Sequence, residues 1–210
     1  MHVPKIACYF GKRITTLISA KTCKSSWWKE FPKVNSEFEE PQYEYKVPAK
    51  VLRHFPLIPR LQRLFMCSKT AESIRWHDEE WSKDGNLRHP ANGEAWKDFD
   101  KLYSKFSSDS HNVRLGLASD GFKPFRTMSI SRSTWPVMTF VYNLPPWLCM
   151  KPEHIMLSLL IPGPQSPGND IDVYLQPLIE ELKELWEFGV DTWCFKRWNI
   201  STTCNSFMDY

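Results

Sequence analysis

The chain has no pair of cysteines at metal-finger spacing. Its six cysteines (Cys8, Cys23, Cys67, Cys149, Cys194 and Cys204) never form a C-x-x-C pair, so spacing supports no zinc site. No apolar run approaches the roughly 18 residues of a membrane span, so no membrane partner is expected. The stretch after Met1 has no sustained apolar core that would read as a secretion signal. An intracellular, reducing setting with free thiols is therefore expected. In that setting the acceptor triplet Asn199-Ile200-Ser201 has no use. There are no internal repeats, which excludes solenoid architectures. There is also no compact Lys/Arg cluster to serve as a nuclear address.

The residues that are present point to a folded chain. With 210 residues, 42% hydrophobic and 24% charged, it can bury the core of one domain with an appendage. Wholesale disorder does not fit this composition. Ten Trp and thirteen Phe either fill that core or mark a surface that meets more protein. The net charge of +3 is unevenly spread: residues 1–70 carry thirteen Lys/Arg against five Glu, and the remainder is mildly acidic. A basic head is compatible with phosphate contacts, and equally with an ordinary solvated surface.

Four segments follow from the patterning. Residues 1–42 lack a clean period and read as an irregular basic arm. Residues 43–110 read as a helical region. Leu61, Leu64 and Phe65 recur at helical spacing, and a second helix, capped by Asn92, carries a stripe of Trp96, Phe99, Tyr103 and Phe106. Residues 111–191 form the patterned core. Val113, Leu115 and Leu117 alternate with Arg114, Gly116 and Ala118, predicting a strand that ends at Ser119-Asp120-Gly121. Trp135–Tyr142 predicts a second strand. The run Ile155–Ile161 predicts a third, buried on both faces. Leu175, Leu178, Ile179, Leu182, Leu185 and Trp186 then predict a helix, with Pro177 in its first turn and Gly189 at its stop. Asp170 and Asp172 suit that helix start. Residues 192–210 form an unpatterned tail. The expected fold class is α+β: a three-stranded antiparallel meander plus a covering helix, preceded by a helical N-terminal region.

Specific strings carry a family resemblance. They are Lys46–Phe65 (KVPAKVLRHFPLIPRLQRLF), Arg75-Trp76-His77, Leu87–Pro90 (LRHP), Ala95–Lys97 (AWK) and Asn112–Phe125 (NVRLGLASDGFKPF). They continue with Trp135-Pro136-Val137, Tyr142–Met150 (YNLPPWLCM), Ile161–Gly168 (IPGPQSPG) and Asp170–Leu182 (DIDVYLQPLIEEL). In this order the blocks resemble the transposases of plant En/Spm (CACTA) transposons, over roughly residues 43–191.

The resemblance implies an incomplete RNase H-like core that cuts and rejoins DNA with a carboxylate triad holding two Mg²⁺ or Mn²⁺ ions, hard cations suited to oxygen ligands. The first carboxylate of such a core falls on Asp120. Read from its residues alone, Asp120-Gly121 is a turn signal. The second carboxylate is expected on a strand after the last helix, and the chain is expected to end before such a strand, leaving Asp120 without partners and the fragment with no bound metal. The family's zinc-knuckle-like stretch is reduced here to Cys23 beside Ser25–Lys29. Asn92 stands where the family commonly has Asp, and residues 193–210 match nothing expected.

Lys46, Lys50, Arg53, Arg60, Arg63 and Lys69 are candidate phosphate contacts, with Arg53, Arg60 and Arg63 at near-helical spacing. His77 and His89 are either metal or DNA contacts or structural residues beside Trp and Pro. The expected function is a truncated, catalytically inactive transposase-like protein of a cut-and-paste transposon. The alternative is a non-catalytic module that binds DNA or full-length transposase. By family inference the protein is nuclear.

Overall fold

The computed structural model describes residues 8–9, 28–29, 47–80, 86–122, 133–163, 166–194 and 197–202. Seven strands and seven α-helices are present among them. The strands are β1 (Cys8–Tyr9), β2 (Val51–His54), β3 (Leu115–Ser119), β4 (Thr134–Val141), β5 (Met156–Pro162), β6 (Val190–Cys194) and β7 (Arg197–Thr202). The helices are α1 (Ile58–Met66), α2 (Ser68–Ser73), α3 (Trp76–Glu79), α4 (Glu94–Leu102), α5 (Ser104–Ser107), α6 (Pro146–Cys149) and α7 (Ile171–Glu187).

The meander forms as its patterning predicts: β3 pairs antiparallel with β4, and β4 with β5. β5 buries Ser158 and Leu159 in succession, as a strand covered on both faces must. The sheet is larger than expected, however. β2 pairs antiparallel with β5, and β1 lies parallel to β2, giving the order β1-β2-β5-β4-β3. Val51–His54 falls in the region read as helical. It is a strand because β5 needs a partner on its far side, and Leu52 and His54 turn inward there while Arg53 faces out.

α7 packs against β2 and β5. Its buried residues Tyr174, Leu178, Leu182 and Leu185 follow the 3–4 spacing of one face, each such side chain contributing roughly 1.5–3 kcal/mol by burial. Pro177 lies inside this helix rather than in its first turn, because the helix already starts at Ile171. Its ring sits on the buried face. Gly189, at φ 67°, ends the helix in the left-handed conformation that glycine adopts most readily.

The stretch from 192, read as unpatterned, contains an antiparallel pair. β6 pairs with β7 in a separate two-stranded sheet and packs against α1. Asn92 closes a short 3₁₀ turn, Pro90–Asn92, and the cap position of α4 is Gly93. The aromatic stripe is split by a break at Tyr103: Trp96 and Phe106 are buried, whereas Tyr103 is exposed.

Candidate functional site

Asp120 directly follows β3, at the outer edge of the sheet. The β3–β4 register runs from Leu115 opposite Val141 to Ser119 opposite Val137, and resumes with Phe122 opposite Thr134. By that register Asp120 stands opposite Pro136, and Gly121 opposite Trp135. Phe122 and Thr134 exchange both backbone hydrogen bonds, at 3.0 and 2.9 Å. Two residues earlier, the same alternation asks residue 136 for an N–H, which proline lacks. The ladder is therefore interrupted at Asp120. The carboxylate is exposed, and its Oδ1 accepts a hydrogen bond from the Gly121 N–H at 2.7 Å.

Gly121 permits a close approach. A Cβ there would lie 2.5 Å from the Trp135 indole, so the ring can rest on the backbone beside Asp120 only because residue 121 has no side chain.

The chemistry of Asp120 suits a hard cation, since it offers a solvent-facing carboxylate. Among the described residues, however, no group of three or more His, Cys, Asp and Glu is placed to hold a metal ion. The described residues thus do not make up a two-metal site. The expectation that no strand follows the last helix is overturned: β6 begins immediately after Gly189 and carries the exposed Asp191. It is bound to α1, where the Gln62 Nε2 donates to the Asp191 carbonyl at 3.0 Å, and it pairs with β7 rather than with β3.

The basic candidates separate. Lys46 lies outside the described residues. Lys50 donates to the Tyr174 hydroxyl at 2.8 Å. Arg60 donates to the carbonyls of Phe55, Pro56 and Leu157, which ties the start of α1 to β5. Arg53, Arg63 and Lys69 face solvent. Arg53 is in a strand and only Arg60 and Arg63 share a helix, so the three arginines do not form one helical row.

His77 and His89 lie within an aromatic cluster. His77 packs edge-on to Trp96 at 5.4 Å, and its Nδ1 donates to the Ile74 carbonyl at 2.9 Å. His89 packs edge-on to Trp76 at 5.3 Å, and its Nδ1 accepts from the Ala91 N–H. Burial lowers the pKa of both rings, against backbone hydrogen bonding that favours the proton.

At the centre is Arg114, one of the residues that alternate with Val113, Leu115 and Leu117 in the sequence. It is 5% exposed. Its guanidinium lies 3.8 Å from the Trp96 ring centroid and is ion-paired with Asp100. Asn143, read as a turn residue, accepts from the Arg114 backbone N–H at 2.6 Å and donates to the Asn112 carbonyl at 2.9 Å. Arg114 lines a cavity of about 170 Å³ with His77, Asp78, Lys97 and Asp100. Its two carboxylates balance its two cations, so its charge selects no ligand.

These features define a mixed α+β protein whose sheet has four antiparallel strands, β2-β5-β4-β3, with an exposed carboxylate at the outer edge. The model of a family described as "Transposase family tnp2" matches residues 84–202, more than half of the chain, and the chain belongs to that family. The match begins after the Lys46–Phe65 and Arg75–His77 blocks and continues through residues 193–202, for which no counterpart was expected. No curated protein sequence matches the chain, and no solved structure matches it. Among the described residues, no helix is long and apolar enough to cross a membrane.

Proposed function

We propose that this chain is a DNA-engaging transposase protein of an En/Spm (CACTA) cut-and-paste transposon, built on an RNase H-like core, in which Asp120 is a carboxylate of the metal centre. The proposal further holds that the chain by itself does not cut DNA, and that it acts in the nucleus. The supporting observation is the position of Asp120: it follows the edge strand β3 with its carboxylate facing solvent, in a member of a transposase family. Among the described residues no group of three or more His, Cys, Asp and Glu surrounds it.

The test is a DNA-nicking assay with Mg²⁺ or Mn²⁺, comparing the chain with Asp120→Ala. The expected result is no nicking by either. Nicking by the parent that the substitution abolishes would retain Asp120 as a ligand and refute the non-cutting part of the proposal.

The second reading is a regulatory module that binds transposon DNA or full-length transposase without catalysis. It is favoured by the solvent-facing Arg53, Arg63 and Lys69. If these touch phosphates, DNA affinity falls steeply with salt. Each change to Ala then lowers the log–log salt slope by about 1. Unchanged slopes in all three variants would remove them from the DNA interface.

A further inference from the structure

We propose that the corner formed by Trp76 and Trp147 is a binding site for a lysine side chain presented by a basic segment of a protein partner. Trp147 stands on α6 directly after Pro145-Pro146 and is 62% exposed. Its ring centroid lies 5.5 Å from that of Trp76, with the planes at 77°. Trp76 also packs edge-to-face with His89, and α6 is anchored by the buried Cys149. The corner is therefore set before any ligand arrives, which lowers the ordering cost of binding.

The two rings line a groove of about 510 Å³, a size typical of ligand sites. Aromatic faces carry negative quadrupole charge and attract ammonium groups. The same groove is lined by the carboxylates Glu72, Glu79 and Glu80. Two cations, Lys69 and Arg75, also line it, and Arg75 is ion-paired with Glu79. The carboxylates outnumber the cations. That balance, together with the aromatic walls, favours a cationic guest.

The experiment is calorimetric titration of the full chain with a blocked lysine-rich peptide. The same peptide carrying trimethyl-lysine, and single-stranded oligothymidylate, provide the other arms. Both peptides should bind, the trimethylated one at least as tightly, because attraction to a ring face needs no N–H. Trp147→Ala removes an exposed side chain and should keep the fold while weakening both peptides about tenfold. Glu80→Gln should weaken them less and flatten their salt dependence. Absence of peptide binding at millimolar concentration would overturn the proposal, as would equal peptide affinity in parent and Trp147→Ala. Oligothymidylate binding that depends on Trp147 while peptide binding does not would also overturn it, and would identify a base-stacking platform instead.

Discussion

Glu181, on α7, ties two other elements together. Its Oε1 accepts the backbone N–H groups of Leu57 and Ile58, at 2.7 and 2.9 Å, and its Oε2 lies 3.1 Å from the His54 Nε2. One carboxylate of α7 thus caps α1 and holds β2. Glu181→Ala leaves a buried ring and two N–H groups without their acceptor, and should destabilise the fold by about 2–4 kcal/mol, read from urea unfolding.

The same residue and the two cluster histidines set a pH dependence. Burial raises the Glu181 pKa, but the hydrogen bonds from His54, Ile58 and Leu57 outweigh it and hold the carboxyl below its ordinary 4.5. His77 and His89 are held below their ordinary 6.5, chiefly by burial. In all three the unfolded chain binds protons more readily than the folded one, so stability falls as pH falls. The histidine contribution is full above 6.5 and is lost below it, and the Glu181 contribution is lost below 4.5. Urea midpoints measured against pH should show both limbs. In Glu181→Gln the lower limb should shrink while the upper one stays; an unchanged lower limb would assign it to other carboxylates.

At the scale of elements, the Asp120 edge depends on its opposite strand. Gly121→Ala forces a methyl into the Trp135 indole and should cost about 1–3 kcal/mol by overpacking, read as a lowered thermal midpoint. β5 and α7 were legible because their patterns are local: the apolar run of β5 and the 3–4 spacing of α7. β3 forms where a strand was expected but begins at Leu115, and its burial does not follow the expected alternation, since Arg114 and Gly116 are buried and Leu117 is exposed. β2 was not legible. Four residues carry little period, and the burial of His54 depends on Glu181, over a hundred positions away. The burial of Arg114 was not legible for a related reason. Alternation assumes that one face of the strand is wet, whereas Trp96 covers the arginine and Asp100 neutralises it. Asp120 was found by position in the family. Its place opposite Pro136, where the ladder loses a donor, needed the register. In the β6–β7 pair the only alternation is short, Trp198 and Ile200 between Arg197, Asn199 and Ser201, too brief to have been read as a strand.

For the whole molecule, the exposed apolar residues set the solution behaviour. Leu102 and Phe188 are 78% and 77% exposed, and Tyr103 and Trp186 are also exposed, packed edge-to-face at 5.3 Å. Among the described strands β3 pairs only with β4, so it presents backbone groups on its other side. The isolated chain should self-associate, and Leu102→Glu with Phe188→Lys should reduce that in light scattering. A soluble parent monomer with a sharp, reversible thermal transition would contradict this expectation.

The long reach of Glu181 also has a consequence in time. The carboxylate that caps α1 lies 124 residues after Leu57 in the chain. At about 5–20 residues per second of synthesis, the first helix exists for roughly 6–25 s before its cap has been made. Through that interval Leu61 and Phe65 have neither α7 nor the completed sheet to cover them. The nascent chain is thus most vulnerable to wrong partners in its first third, and a chaperone that shields apolar segments would act there first.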